Sequence, residues 1–215
     1  MKRFLILIAL MVSAAIDLSA QVPTRTTDGD PRQEFETLLD RVRKSDESVD
    51  FTRLRMLYAE SQSYATTRDD DEGEMIDLAV KGRYAEARDK ARAILARNYM
   101  NIEAHMASVV VCRGLKDESC GAHHLFVARG MLDSIRNSGD GKTMKTAFVV
   151  ISVPEEYALL RVLGLDRVEQ SLARGDDGKM YDVLKVRNAS TSEETTLFFN
   201  VDAAFAATSR LLGLK

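Results

Sequence analysis

His105, Cys112, Cys120 and His124 combine the residue types that do redox and coordination chemistry, at spacings that bring them together. His105 and Cys112 are seven residues apart and Cys120 and His124 are four apart, so each pair shares one face of a helix. An antiparallel turn through residues 113–119, "RGLKDES", brings the two cysteines to similar heights. Three outcomes fit this pattern: a Cys112–Cys120 disulfide, two unlinked buried thiols, or tetrahedral zinc held by two cysteines and two histidines. The first two rank ahead of the third, and no residue is assigned as a metal ligand. His123 points away from the face that carries His124 and reads as a surface residue.

The stretch "GDGKT", Gly139 to Thr143, resembles the end of a phosphate-binding loop. The full motif needs a glycine five positions before Gly141, and Arg136 stands there. The order is also reversed, because a helix precedes the glycines and a strand follows, whereas phosphate cradling needs a helix N-terminus after the loop. Nucleotide binding is excluded on both grounds, and no cofactor is assigned. The acidic run Asp69, Asp70, Asp71, Glu72 and Glu74 invites a calcium reading. With Gly73 as the sixth position of an EF-hand loop, the first would be Arg68, so the run reads as a solvated helix start.

Glu155, Glu156 and Tyr157 follow "SVP", and helix initiation accounts for them, with Ser152 as cap and Glu155 completing a capping box. Neighbouring helical positions diverge by about 100°, so the two glutamates do not share a site. Tyr181, Asp182, Asn200 and Asp202 fall near strand ends and could serve a hydrolase-like site between a helical layer and a sheet. The competing reading makes Asp202 the cap of the last helix and Asn200 a strand end. No Gly-x-Ser-x-Gly, His-Glu-x-x-His or Cys-x-x-Cys pattern occurs, so catalytic residues stay unassigned.

The elements that must position these residues begin after a leader. Lys2 and Arg3 precede an apolar run, Phe4 to Ile16, and "LSA" precedes Gln21, which is the layout of a secretory signal peptide over residues 1–20. The run is shorter than the ~20 residues a spanning helix needs, so no stable membrane insertion is expected after cleavage. An exported, periplasmic or secreted location follows, and it favours a disulfide. The formal charge of −3 becomes −4 when Lys2, Arg3 and Asp17 leave with the leader. A mildly acidic chain gives no electrostatic reason for a nucleic-acid partner.

Residues 21–30 read as a flexible lead and residues 31–137 as a helical region. Asp30-Pro31 opens a helix with the stripe Phe35, Leu38, Leu39, Val42, and Asp50 opens a second. Gly82, Tyr84 and Ala87 match the Gly-x-Tyr-x-x-Ala turn of the tetratricopeptide repeat, and "LKDESCGAHHLF" falls about 34 residues later in the corresponding place. The region resembles two imperfect repeats, and that resemblance implies a protein-interaction groove near Tyr84, Tyr99 and His105. Residues 138–215 read as an α+β region packed as one unit with the helices. "AFVVIS" is a buried strand, "SVPEEYALLRVLGL" a helix, and "VEQSLARG", "MYDVLKVRN" and "ETTLFFNVD" are strands joined by hairpins at "DDGK" and "ASTSE". A last helix, "AAFAATSRLLGL", closes the chain. The fold class is α+β: a layer of tetratricopeptide-like helix pairs, then a small, mostly antiparallel sheet with two flanking helices.

"DFTRLRMLYAES", "GDGKTMKTAFVVISVPEEYALLRVLGL", "YDVLKV" and "TLFFNVD" together resemble a family of secreted bacterial proteins, domain of unknown function family 4919. The resemblance spans roughly residues 45–210, implies export, and carries no catalytic residue with it. The function expected is a non-catalytic module that binds a protein or peptide. The alternative is a hydrolase-like enzyme.

Overall fold

The computed structural model describes residues 30–61, 71–211 and 213, so the leader and residues 21–29 of the lead segment lie outside the described residues. Eight α-helices and four strands occur among them. The helical layer consists of α1 (Pro31–Arg43), α2 (Phe51–Glu60), α3 (Asp71–Val80), α4 (Tyr84–Arg97), α5 (Ile102–Gly114) and α6 (Glu118–Arg136). After it come β1 (Phe148–Val149), α7 (Val153–Leu163), β2 (Leu165–Arg174), β3 (Met180–Asn188), β4 (Glu194–Asn200) and α8 (Asp202–Leu211). The fold is α+β, helices first and sheet afterwards. None of the described helices is long and apolar enough to cross a membrane.

Short polar side chains set the helix starts. Asp30 accepts from the Arg32 amide with Pro31 in the first turn, and Asp50, Asn101 and Asp117 cap α2, α5 and α6 in the same way. α3 to α6 pack each against the next, and α3 also meets α5. Tyr84 at the start of α4 lies over Gly114 at the end of α5, where any Cβ would overlap its ring.

The sheet order is β1-β4-β3-β2. β2, β3 and β4 form an antiparallel meander, and β1 adds to β4 in parallel through Phe148 opposite Phe199. The expected six-residue strand "AFVVIS" is paired only over Phe148–Val149. The Val150 amide still reaches the Asn200 carbonyl, but the chain then turns into α7, which ends the ladder. One apolar core runs through both regions, joining Phe35, Leu54 and Met131 to Phe148, Leu159, Leu184 and Phe199.

A buried ion pair crosses that core. Arg55 of α2 and Glu155 of α7 are each 1% exposed. Arg55 donates from Nε and Nη2 to the two Glu155 oxygens at 2.8 and 2.5 Å. Its remaining donors reach Ser134 Oγ on α6 at 2.8 Å and the Val149 carbonyl at 3.0 Å. Glu155 also accepts from the Ile151 amide at 2.9 Å. The expected capping box is therefore absent: Ser152 makes no side-chain cap bond, and Glu155 serves the guanidinium and the residue before the cap. Two hydrogen bonds in parallel geometry outweigh one to an amide that water can reach.

Candidate functional site

The "GDGKT" loop is structural. The amides of Asp140 and Gly141 both donate to the Thr146 carbonyl, at 3.0 and 2.8 Å, which leaves neither for a phosphate. Of the acidic run, Asp69 and Asp70 lie outside the described residues. Asp71 pairs with Lys90 and Arg97. Glu72 is not solvated as expected but buried, accepting from Asn101 Nδ2 at 2.6 Å, so this helix start is tied to the turn before α5.

The four residues of the hydrolase reading do not form one site: Tyr181 stands opposite Asn200 across β3–β4 and near Asp202, while Asp182 is directed away from them. Tyr181 donates to Asp177 at 2.7 Å, Asp182 accepts from Gln170 Nε2 at 2.8 Å, and Asn200 Oδ1 accepts from the Asp202 amide at 3.0 Å. Tyr181 and Asp182 are consecutive on β3 and face opposite sides of the sheet. Asp202 is the first residue of α8 and not its cap; its amide donates to Asn200 Oδ1, and its own Oδ1 accepts from the Met180 amide at 3.4 Å. Asp182 meets instead Glu156 of α7, which is fully buried and was expected only to start a helix. Neither Glu156 oxygen has a placed hydrogen-bond partner. Loss of water, followed by the adjacent Asp182 carboxylate and then Glu155, pushes its carboxyl up to about 9. Glu156 is therefore protonated at neutral pH, beside the Asp182 carboxylate. This pair is sealed between α7 and β3 and opens onto none of the clefts described below.

The cysteines and all three histidines gather around α5 and α6. Cys112 and Cys120 are bonded across the α5–α6 turn, with Sγ–Sγ 1.98 Å and Cα–Cα 5.7 Å. The sulfurs and a ring nitrogen of His124 lie within 4.8 Å of one another. With the sulfurs bonded to each other they offer no thiolate, so these three groups suit a metal only in a reduced chain. His105 is wholly buried, with Nε2 2.9 Å from the Tyr99 carbonyl and Nδ1 3.0 Å from His124 Nδ1. A carbonyl only accepts, so His105 Nε2 carries the proton, His105 Nδ1 accepts from His124 Nδ1, and His124 Nε2 keeps its lone pair. Burial holds both rings neutral, lowering His105 to about 3 and His124 to about 4.

His123 is not the free surface residue expected from the sequence. It is half-buried, bonded through Nδ1 to Ser45 Oγ at 2.8 Å and through Nε2 to the Tyr99 hydroxyl at 2.7 Å. The turn after α1 folds over this part of α6 and supplies Ser45, while Arg43 at the end of α1 lies over the Tyr99 ring at 5.3 Å.

Beside this network α4, α5 and α6 enclose a cleft of about 470 Å³. Ala91, Leu95 and Val111 give it an apolar lining, the cystine is one wall, and Tyr99, His123 and His124 form another. Arg43, Arg88 and Arg92 stand around it, with Asp117 as the one acid among the described lining residues. Two polar atoms in this lining are buried and unpartnered: Ser108 Oγ, on a residue 3% exposed, and Arg88 Nε. Of the three residues expected to mark an interaction groove, Tyr99 lines the cleft, His105 is sealed beneath it, and Tyr84 lies outside it on Gly114. The groove is also edged by cations and not simply apolar.

Sequence reading passed over Arg88, Arg92 and Ser108. A signal existed: Arg88 and Arg92 are four apart on α4, as are Ser108 and Cys112 on α5, so each pair lies on one face. No curated protein and no solved structure matches the chain. A family model matches residues 22–210, and the chain belongs to that family, described as Domain of unknown function (DUF4919).

Proposed function

We propose that this protein is an exported, non-catalytic binding module that seats a segment of another polypeptide in the cleft between α4, α5 and α6. The observation that carries the reading is the pair of unpartnered buried atoms in the cleft, Ser108 Oγ and Arg88 Nε. Folded chains pair more than about nine in ten of their buried polar groups, because an unpaired one costs on the order of 1–3 kcal/mol. Two such atoms in the lining of one open cleft are accounted for if a ligand completes them. The resemblance of α3–α6 to tetratricopeptide helix pairs supports a polypeptide as that ligand, and the signal-peptide layout of residues 1–20 supports export.

The test uses the chain from Gln21 onward against a displayed library of random dodecapeptides, with Ala96→Trp as comparison. Ala96 is exposed on the cleft lining, so an indole there fills the space without entering the core. Peptides enriched by the native chain and lost with Ala96→Trp support the reading. Enrichment that Ala96→Trp leaves unchanged refutes it.

A further inference from the structure

We infer that the cleft between α4, α5 and α6 selects acidic segments, a side-chain carboxylate of the ligand being bound by Arg88 and Ser108. This rests on the reading that the cleft seats a polypeptide, and it names the chemistry of that polypeptide.

Charge is the first argument. Among the described residues, three arginines line the cleft against the single acid Asp117. Asp117 is occupied, since its Oδ1 accepts from the Cys120 amide as the cap of α6. The chain as a whole carries a formal charge of −3, so this cationic surface runs against the overall balance. The histidines do not add to it, because burial keeps His105, His123 and His124 neutral near pH 7. What remains is a fixed cluster of guanidinium groups, which do not titrate in this range and which bind carboxylates through paired N–H donors.

The partners these groups already hold are weak. Arg43 bonds Asp40 at 3.0 Å, and Arg92 lies 3.8 Å from Asp89. Both pairs are surface-exposed contacts between near neighbours on one helix, worth little and easily exchanged for a ligand. Arg88 is held more loosely still. Asp89 lies 4.0 Å from its Nε, and that nitrogen has no hydrogen-bond partner among the described residues. Ser108 presents a hydroxyl without a partner from α5. Together they offer charge-assisted donors with nothing to donate to, which a carboxylate oxygen satisfies.

His124 separates a polypeptide from a free anion. His124 lines the cleft, and its Nε2 lone pair has no hydrogen-bond partner. That nitrogen can accept from a ligand donor in place of water. An acidic segment brings carboxylate acceptors and backbone N–H donors on one strand of chain, so it answers both needs of the cleft. A bare carboxylate or phosphate answers only the first.

The experiment is fluorescence anisotropy with fluorescein-labelled hexaglutamate, and hexaglutamine as the neutral control, against the chain from Gln21 onward. Hexaglutamate should bind about tenfold or more tightly than hexaglutamine, a ratio that shrinks between 50 and 200 mM salt. Arg88→Gln should weaken hexaglutamate about tenfold and Ser108→Ala roughly threefold. Arg129→Gln, which removes the same charge from an exposed position outside the cleft, should change it less than about twofold. Ser108→Ala should leave the melting temperature of the free protein unlowered, because the hydroxyl has no bond to lose. A loss of binding accompanied by a lower melting temperature would assign Ser108 a structural role and overturn its part in recognition.

Equal binding of both peptides, abolished by Ala96→Trp, would keep the polypeptide reading and overturn selection by charge. Hexaglutamate binding that survives Ala96→Trp would overturn both. No hexaglutamate binding at millimolar protein would overturn the carboxylate assignment. Displacement of hexaglutamate by inorganic phosphate or free glutamate at equal concentration would replace the polypeptide with a small anion and overturn the proposal.

Discussion

Replacing Glu156 by glutamine should change how the protein's stability depends on pH. An ordinary glutamate titrates near 4.5, and in the fold the Glu156 carboxyl is pushed up to about 9 by burial and by Asp182. The folded state therefore holds a proton that the unfolded chain releases across this interval. Stability from this group is complete below about pH 4.5, falls as pH rises, and stops changing above about pH 9. Each pH unit inside the window costs about 1.4 kcal/mol, so three units, from pH 5 to pH 8, cost about 4 kcal/mol. Glutamine keeps the shape and carries no proton to lose. Urea unfolding at pH 5, 6.5 and 8 should show the native chain losing about 4 kcal/mol more than Glu156→Gln over the range. Glu156→Gln should be the more stable of the two at pH 8. A difference below about 1 kcal/mol, or one of opposite sign, would mean that Glu156 is hydrated or ionised in the fold and would refute the burial argument.

Arg55→Met should cost about 3–5 kcal/mol in urea unfolding, because it strands the buried Glu155 carboxylate; Arg55→Met with Glu155→Leu should recover most of that. Gly130→Ala should destabilise by about 1–3 kcal/mol, since a Cβ there would overlap the Phe51 ring. Unreduced protein, denatured, should titrate no free thiol, and Cys112→Ala with Cys120→Ala should lower stability by roughly 2–3 kcal/mol, the chain entropy of so short a loop. Two titratable thiols in the unreduced material would overturn the disulfide.

What the sequence made legible was local. Asp30-Pro31 and Asp50 mark the starts of α1 and α2, and Gly178 and Asn188 mark the two hairpins, because caps and turns act within a few residues. Periodicity likewise marks β3 and β4, where alternation meets a buried face. What it missed depended on distant partners. Glu155 reads as a helix-start acid until Arg55, a hundred residues earlier, is placed beside it. His123 reads as exposed until Ser45 and Tyr99 arrive from other elements. β1 is cut short by the turn into α7, a packing choice that a run of β-branched residues cannot announce. The cleft was half legible: the spacing of Cys112, Cys120 and His124 was plain, but the arginines facing them from α4 and α1 needed the packing of the layer.

Arg55 has a consequence for the order in which this chain can reach its fold. A ribosome delivers the protein from its N-terminus, and α1 to α6 emerge before any residue of the sheet. At that stage the guanidinium has Ser134 available but neither the Val149 carbonyl nor the Glu155 carboxylate. Packing α2 against α6 then would bury a cation without its counter-ion, at a cost of several kcal/mol. The helical layer is therefore expected to stay open at its centre until the segment through Glu155 has been made. A shortened chain ending near residue 137 should consequently remain loosely packed and protease-sensitive, having lost the Phe148 to Phe199 side of the shared core.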